Sequence, residues 1–181
     1  MRFADRLLQS WRGRVAAPWV PEGARVLDIG CFQGEFLDSL GSRIHDSIGI
    51  DPLAPAVTKP SYHLLAEPFK EPLPYPDGAF DVIVMLATME HLDDKESIYR
   101  ECRRLLPHRG RVILTVPTPA VDHWVDLLVR FRLADGMSLE QHHGFDPEVL
   151  PGEFARHRFS LLVWKKFQLG LNNLFVYERM G

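Results

Sequence analysis

Arg25 to Phe36, RVLDIGCFQGEF, reads as a short apolar strand that runs into an acid, then a glycine-bearing turn, then the start of a helix. Val26, Leu27 and Ile29 suit a parallel strand covered on both faces, and Asp28 is the acid within it. Gly30 and Gly34 bracket the turn, where a backbone without Cβ can come close to a ligand. The rest of the chain reads as strands and helices added to this unit.

Downstream, helical and extended periods alternate. Phe36, Leu37, Leu40 and Ile44 form the stripe of a first helix, and Ser47 to Asp51, SIGID, is a second strand that again ends on an acid. Pro52, Pro55 and Pro60 forbid a long helix after it, so a short or irregular connection is expected. Tyr62 to Ala66 is a third strand ending at Glu67, followed by the loop EPFKEPLPYPDG up to an Asp77-Gly78 turn. Phe80 to Leu86, FDVIVML, is a continuous apolar run expected near the sheet centre. Asp93, with Glu96 three residues on, has the capping-box spacing for a helix striped by Ile98, Cys102 and Leu105 and stopped by Pro107 and Gly110. Val112 to Val116 is a fifth strand. A helix is expected from about Val121 to Leu133 and a short one from Pro147 to Ala155. The runs Ser160 to Leu169 and Leu174 to Arg179, separated by Gly170 and Asn172-Asn173, close the chain as a hairpin.

This alternation predicts an α/β, Rossmann-like, doubly wound, mostly parallel seven-stranded sheet with an antiparallel C-terminal hairpin. One domain is expected over residues 1–181, with residues 21–181 as its core. Residues 1–20 carry Phe3, Leu7, Leu8 and Trp11 at helical spacing, an amphipathic helix that either packs on the domain edge or covers a pocket as a lid.

The 181 residues are 46% hydrophobic and 25% charged, the balance of a soluble globular domain. With 21 basic against 24 acidic side chains there is no global positive field for a phosphate backbone, which disfavours nucleic acid as a partner. Cys31 and Cys102 have neither metal-site nor disulfide spacing, so a reducing cytoplasm fits. Charges interrupt the N-terminus, and no apolar run has the length of a membrane span. His142 and His143 are adjacent rather than one helical turn apart, so no metal is expected there.

In an open α/β sheet a ligand lies beyond the carboxyl ends of the strands, where strand order reverses. Asp28, Gly30, Asp51, Glu67 and the residues after Leu86 would gather there. From Gly30 the chain reads G-C-F-Q-G, without dinucleotide spacing, and Asp28 would stand beside a pyrophosphate at about 4 kcal/mol per like-charge contact. The same mouth suits a ligand with an amino acid near the turn: an ammonium can approach Asp28, and a carboxylate can use the backbone N–H groups of the turn. Asp51, 21 residues beyond Gly30, is placed to take both hydroxyls of a ribose, with Glu67 near an adenine edge. Amino acid, ribose and adenine together make S-adenosylmethionine.

VLDIGCFQGEF, the GID ending at Asp51, LPYPDGAFDVIV and MEHLDD, in that order, resemble the class I S-adenosylmethionine-dependent methyltransferases, in particular the small-molecule-type methyltransferase domains. The resemblance covers about Arg25 to Thr118. It implies S-adenosylmethionine as cofactor, S-adenosylhomocysteine as product, and a binding set of Asp28, Gly30, Cys31, Gly34, Asp51, Pro52, Glu67, Leu86 and Ala87. The chain departs from the family at Phe32, where the loop commonly has a glycine.

A hydroxyl acceptor would use a general base, for which His91 and then His143 are the candidates, ahead of Glu90 and His142. LATMEHL replaces the Asn-Pro-Pro-Tyr-like tetrad of planar-nitrogen methyltransferases, and neither cysteine is placed to attack a pyrimidine. A small-molecule or glycan-type acceptor, methylated at oxygen, is therefore expected. Its pocket would draw on the N-terminal helix, the loop around Tyr75 and the Pro117 to Gly144 segment, with Trp124, Phe131 and His123. Two other readings stay open: a cofactor-binding scaffold without turnover, motivated by Phe32, and a nicotinamide-dependent oxidoreductase, which would have to tolerate Asp28. The oligomeric state is open.

Overall fold

The computed structural model describes residues 3–118 and 146–181. The helix expected over Val121 to Leu133, and with it His123, Trp124, Phe131, His142 and His143, lies outside the described residues. Among the described residues there are eight strands: β1 (Val26–Ile29), β2 (Ser47–Ile50), β3 (Val57–Thr58), β4 (Tyr62–Leu65), β5 (Val82–Leu86), β6 (Arg111–Pro117), β7 (Phe159–Phe167) and β8 (Asn172–Arg179). The α-helices among the described residues are α1 (Phe3–Ala16), α2 (Glu35–Leu40), α3 (Lys95–Leu105) and α4 (Leu150–Arg156).

All eight strands form one sheet in the order β3-β4-β2-β1-β5-β6-β8-β7. The ladders β1–β2, β2–β4, β1–β5 and β5–β6 are parallel, while β8 pairs antiparallel with both β6 and β7. The chain winds outward from β1 through β2 to β4 and then returns to lay β5 on the other flank of β1. Strand order therefore reverses between β1 and β5, where a crevice must open at the carboxyl ends.

Both faces of the sheet are apolar because alternate residues serve different layers. Leu27, Ile83, Met85, Leu114 and Phe175 belong to the core under α3 and α4, together with Ile98, Cys102 and Phe154. Val26, Val82, Val84, Ile113 and Val176 belong to the opposite core, with Ala16 of α1 and Phe36, Leu37 and Leu40 of α2. Asp28 shares the parity of Val26 and so is directed to the α1 and α2 side.

The architecture is the expected one, with one strand more. β3, two residues long, pairs antiparallel with the edge strand β4 through Val57↔Leu64 and Thr58↔His63. Pro55 and Pro60 bracket it and keep it from growing. The first helix is shorter than its apolar stripe, because Gly41 takes φ +55 and ends it before Ile44. The cap of α3 is Asp94 rather than Asp93: its side chain accepts from the Ser97 N–H at 3.1 Å, and the Ser97 hydroxyl donates back to the Asp94 carbonyl at 2.8 Å. Asp-x-x-Ser satisfies two groups locally, which the Asp93–Glu96 spacing would have done one residue earlier.

The proline-rich loop is held by an ion pair. Glu101, 3% exposed, accepts from the Leu73 N–H at 3.0 Å and from both sides of the Arg104 guanidinium at 2.8 Å. Arg104 also donates to the Leu73 and Tyr75 carbonyls at 3.0 and 2.6 Å. A loop with few backbone donors is thereby pinned along α3.

Candidate active site

Three strand ends converge at the reversal point. The N–H groups of Gly30 and Cys31 reach over to the Ile50 carbonyl at 2.8 and 3.3 Å, tying the turn after β1 to β2. On the other flank, a Cβ at Gly30 would lie 2.2 Å from the Thr88 hydroxyl oxygen, so the turns after β1 and β5 fit together only because residue 30 is glycine at φ +80. After β5, Ala87 takes φ +57 and donates its N–H to the Thr115 carbonyl, and a single 3-10 turn, Met89–His91, follows.

Two cavities open from this junction. One, of about 700 Å³, lies between α1 and the start of α2, walled by Arg12, Arg14, Asp28, Cys31 and Glu35 among others. The second, of about 690 Å³, lies beyond β2 and β5, with Phe32, Asp51, Pro52, Phe69, Thr88 and His91 in its wall. Both count Gln9, Arg12, Gly30 and Leu86 among their lining residues, so they form two arms of one cleft.

The electrostatics of the arms differ. Asp28 is 2% exposed, and burial, reinforced by the charges of Asp51 and Glu35, pushes its carboxyl from 3.8 up to about 7. No hydrogen-bond donor among the described residues reaches it. A buried carboxyl aimed into a cavity without a donor suits a cationic ligand group. Asp51 is instead half-buried and structured: it accepts from the Phe32 N–H at 3.1 Å and from the Leu53 N–H at 2.7 Å, one bond on each oxygen. Each oxygen keeps a lone pair for a ligand hydroxyl. Burial also raises the Cys31 thiol far above its ordinary range, so it stays neutral.

The binding set named from the sequence divides here. Asp28, Gly30, Cys31, Asp51, Pro52, Leu86 and Ala87 all lie in the walls of the cleft. Gly34 does not: at φ +80 it starts α2 with a Cβ position 2.8 Å from Leu64, a packing role. Glu67 is exposed outside both walls, while its neighbours Pro68 and Phe69 line the second arm. His91 is in the wall of the second arm. Glu90 is buried outside both walls, and burial, opposed by its own backbone amide and by Arg12 and Lys95, pushes its carboxyl up to about 7. Gln9 and Arg12 were not legible as site residues. Only the packing of α1 over the junction brings them in, and the helical period marks the apolar face of α1 rather than its polar one. Among the described residues no group of three or more His, Cys, Asp or Glu could hold a metal ion, and no helix is long and apolar enough to cross a membrane.

A parallel sheet reversing at β1, with an acid at the end of β1, an acid after β2 and a cleft between them, defines an α/β domain of the doubly wound class with its crevice at the reversal point. Residues 1–158 match the family described as methyltransferase domain, and the chain belongs to that family. Its fold is that of the class I S-adenosylmethionine-dependent methyltransferases. It is similar to the S-adenosylmethionine-dependent methyltransferase from Mesorhizobium loti, with a TM-score of 0.67 at 15% identity over 92% of this chain and 95% of that one. It is also similar to the [4+2]-cyclase SpnF, with a TM-score of 0.71 at 14% identity over 98% of this chain and 81% of that one. In sequence it is 34% identical over 114 residues, 54% of this chain, to the ubiquinone biosynthesis O-methyltransferase of Pseudomonas aeruginosa strain UCBPP-PA14. The chain spans about half the length of the curated relatives it matches, 48% in that case.

Proposed function

We propose that the chain is an S-adenosylmethionine-dependent methyltransferase acting on an oxygen of a small-molecule or glycan-type acceptor. The observation that carries this reading is the pairing of a buried Asp28, which no donor among the described residues reaches, in one arm of the cleft with a half-satisfied Asp51 in the other, on either side of Gly30. An ammonium on Asp28 and a ribose on Asp51 match a ligand with an amino acid at one end and a nucleoside at the other. Arg12, in both walls, supplies a cation for the carboxylate of the amino acid. Membership of the methyltransferase domain family and the O-methyltransferase name of its relatives support the reaction and the acceptor atom.

The bound cofactor supplies a methyl group already activated on a sulfonium sulfur, so the protein's part is alignment and exclusion of water. Asp51 fixes the nucleoside end through two acceptor oxygens, and Asp28 fixes the amino-acid end by becoming charged as it meets the ammonium. α1 closes one side of the cleft through Gln9 and Arg12. His91, exposed in the second wall beside Thr88 and Leu92, accepts the proton that an acceptor hydroxyl gives up on methylation. His143 is the second candidate for that proton.

Calorimetric titration with S-adenosylmethionine, followed by turnover with methyl-labelled cofactor over phenolic and sugar hydroxyl acceptors, tests the reading. Saturable binding and label in an oxygen ether are expected. No binding at millimolar cofactor overturns it, and binding without transfer to any acceptor favours the scaffold reading that Phe32 motivates. In an active enzyme His91→Ala should lower kcat by roughly a hundredfold and leave cofactor Kd within about twofold. An unchanged kcat would dismiss His91 as the base.

A further inference from the structure

Phe32 is the large apolar side chain of the turn that the core does not use. Among the described residues it belongs to neither hydrophobic cluster and is not one of the partly buried side chains packed against them. Its backbone lies at φ +48, in the left-handed region that glycine occupies without penalty and a residue with a Cβ does not. The glycines on either side, Gly30 and Gly34, both sit at φ +80, so the turn uses glycine where its geometry asks for it. At residue 32 the chain keeps an aromatic ring instead.

The ring is half-buried and stands in the wall of the second arm, with Asp51, Pro52, Leu53 and Phe69. Its own N–H donates to Asp51 at 3.1 Å, which ties the position of the ring to the carboxylate on which the ribose would rest. A strained backbone without compensation from core packing, at a cavity wall, points to use of the side chain on a ligand. Pro52, Leu53, Pro68 and Phe69 make the wall of this arm largely apolar around Asp51, with Arg12 and His91 also in its lining, which suits the neutral faces of a ribose and a purine held beside Asp51.

We propose that Phe32 is a specificity-determining residue of the cleft, its ring making a face contact with the nucleoside half of the ligand that Asp51 anchors. The proposal rests on the reading of the cleft as an S-adenosylmethionine site. A glycine at this position would relax the turn and leave the nucleoside open to water on that side.

The test is equilibrium binding of S-adenosylhomocysteine and 5′-methylthioadenosine, which lacks the amino acid, to the wild-type chain, Phe32→Gly and Phe32→Tyr. Phe32→Gly should bind both ligands roughly tenfold more weakly, and Phe32→Tyr, which keeps the ring, should stay within about threefold. The ligand-free thermal midpoint of Phe32→Gly should equal or exceed that of the wild type, since glycine suits φ +48. Wild-type affinity in Phe32→Gly, a loss confined to S-adenosylhomocysteine, or a lowered ligand-free midpoint would each overturn the role. A wild-type chain that binds neither ligand removes the methyltransferase reading and this inference with it. A wild type that binds, with a glycine variant that binds equally well, removes the inference alone.

Discussion

Replacing Asp28 by asparagine should make the ligand-free protein more stable and a poorer binder of its ligand. The carboxyl is raised from 3.8 to about 7 in the folded chain, first by burial and then by Asp51 and Glu35. Between those values the folded state holds a proton that the unfolded state releases, so stability falls as pH rises through the window and the full loss is in place above about pH 7. A shift of roughly three units corresponds to about 4 kcal/mol. Asparagine keeps the shape and does not titrate. Urea denaturation of both proteins at pH 5 and pH 8 isolates the group, because every other titration is common to the pair. The stability difference in favour of Asp28→Asn should grow by about 2.5 kcal/mol between the two pH values. An ammonium-bearing ligand reverses the preference by favouring the charged carboxylate, so wild-type affinity should fall by up to about tenfold per unit below pH 7, and that dependence should vanish in the variant. A stability difference equal at pH 5 and pH 8, together with pH-independent binding, would refute the assignment of Asp28 as a ligand-facing buried acid.

Asp51→Ala should weaken S-adenosylhomocysteine binding by about 10- to 100-fold in calorimetry, through loss of charge-assisted hydrogen bonds, with the domain still folded. Unaltered affinity would take Asp51 out of the site. Gly30→Ala should destabilise the junction strongly, since its Cβ position lies 2.2 Å from the Thr88 oxygen and φ is +80, and Thr88→Ala in the same chain should recover part of the loss. Thermal midpoints of the single and double variants check this. Glu101→Ala strands the Leu73 N–H and leaves Arg104 with the exposed Asp77 in place of a buried carboxylate, at a cost of about 3 kcal/mol in denaturant unfolding. A cost below about 1 kcal/mol would show that the proline-rich loop holds itself.

The sequence by itself determined the order and type of the strands, because a parallel strand buried on both faces needs a continuous apolar run, and VLDI and VIVML carry that signal within four or five residues. It also marked Asp28 and Asp51 as acids at the carboxyl ends of the first two strands, where the cleft opens. Where a local choice had two near-equal solutions, the chain alone did not decide it. Asp93 and Asp94 are both potential caps, and the hydroxyl of Ser97 selects Asp94. β3 exists because the edge of β4 offers unpaired groups to Val57 and Thr58, an opportunity no local pattern records. Only the tertiary structure brought Arg12 and Gln9 over the strand ends, set Glu67 outside the cleft and confined Gly34 to packing, because side chains distant in sequence meet there through the crossing of α1 over a sheet whose reversal point the winding creates. RVLDIGCFQGEF carries the strand, the acid and the glycine turn in its own residues, and the packing around it sets Phe32 in the wall of the cleft.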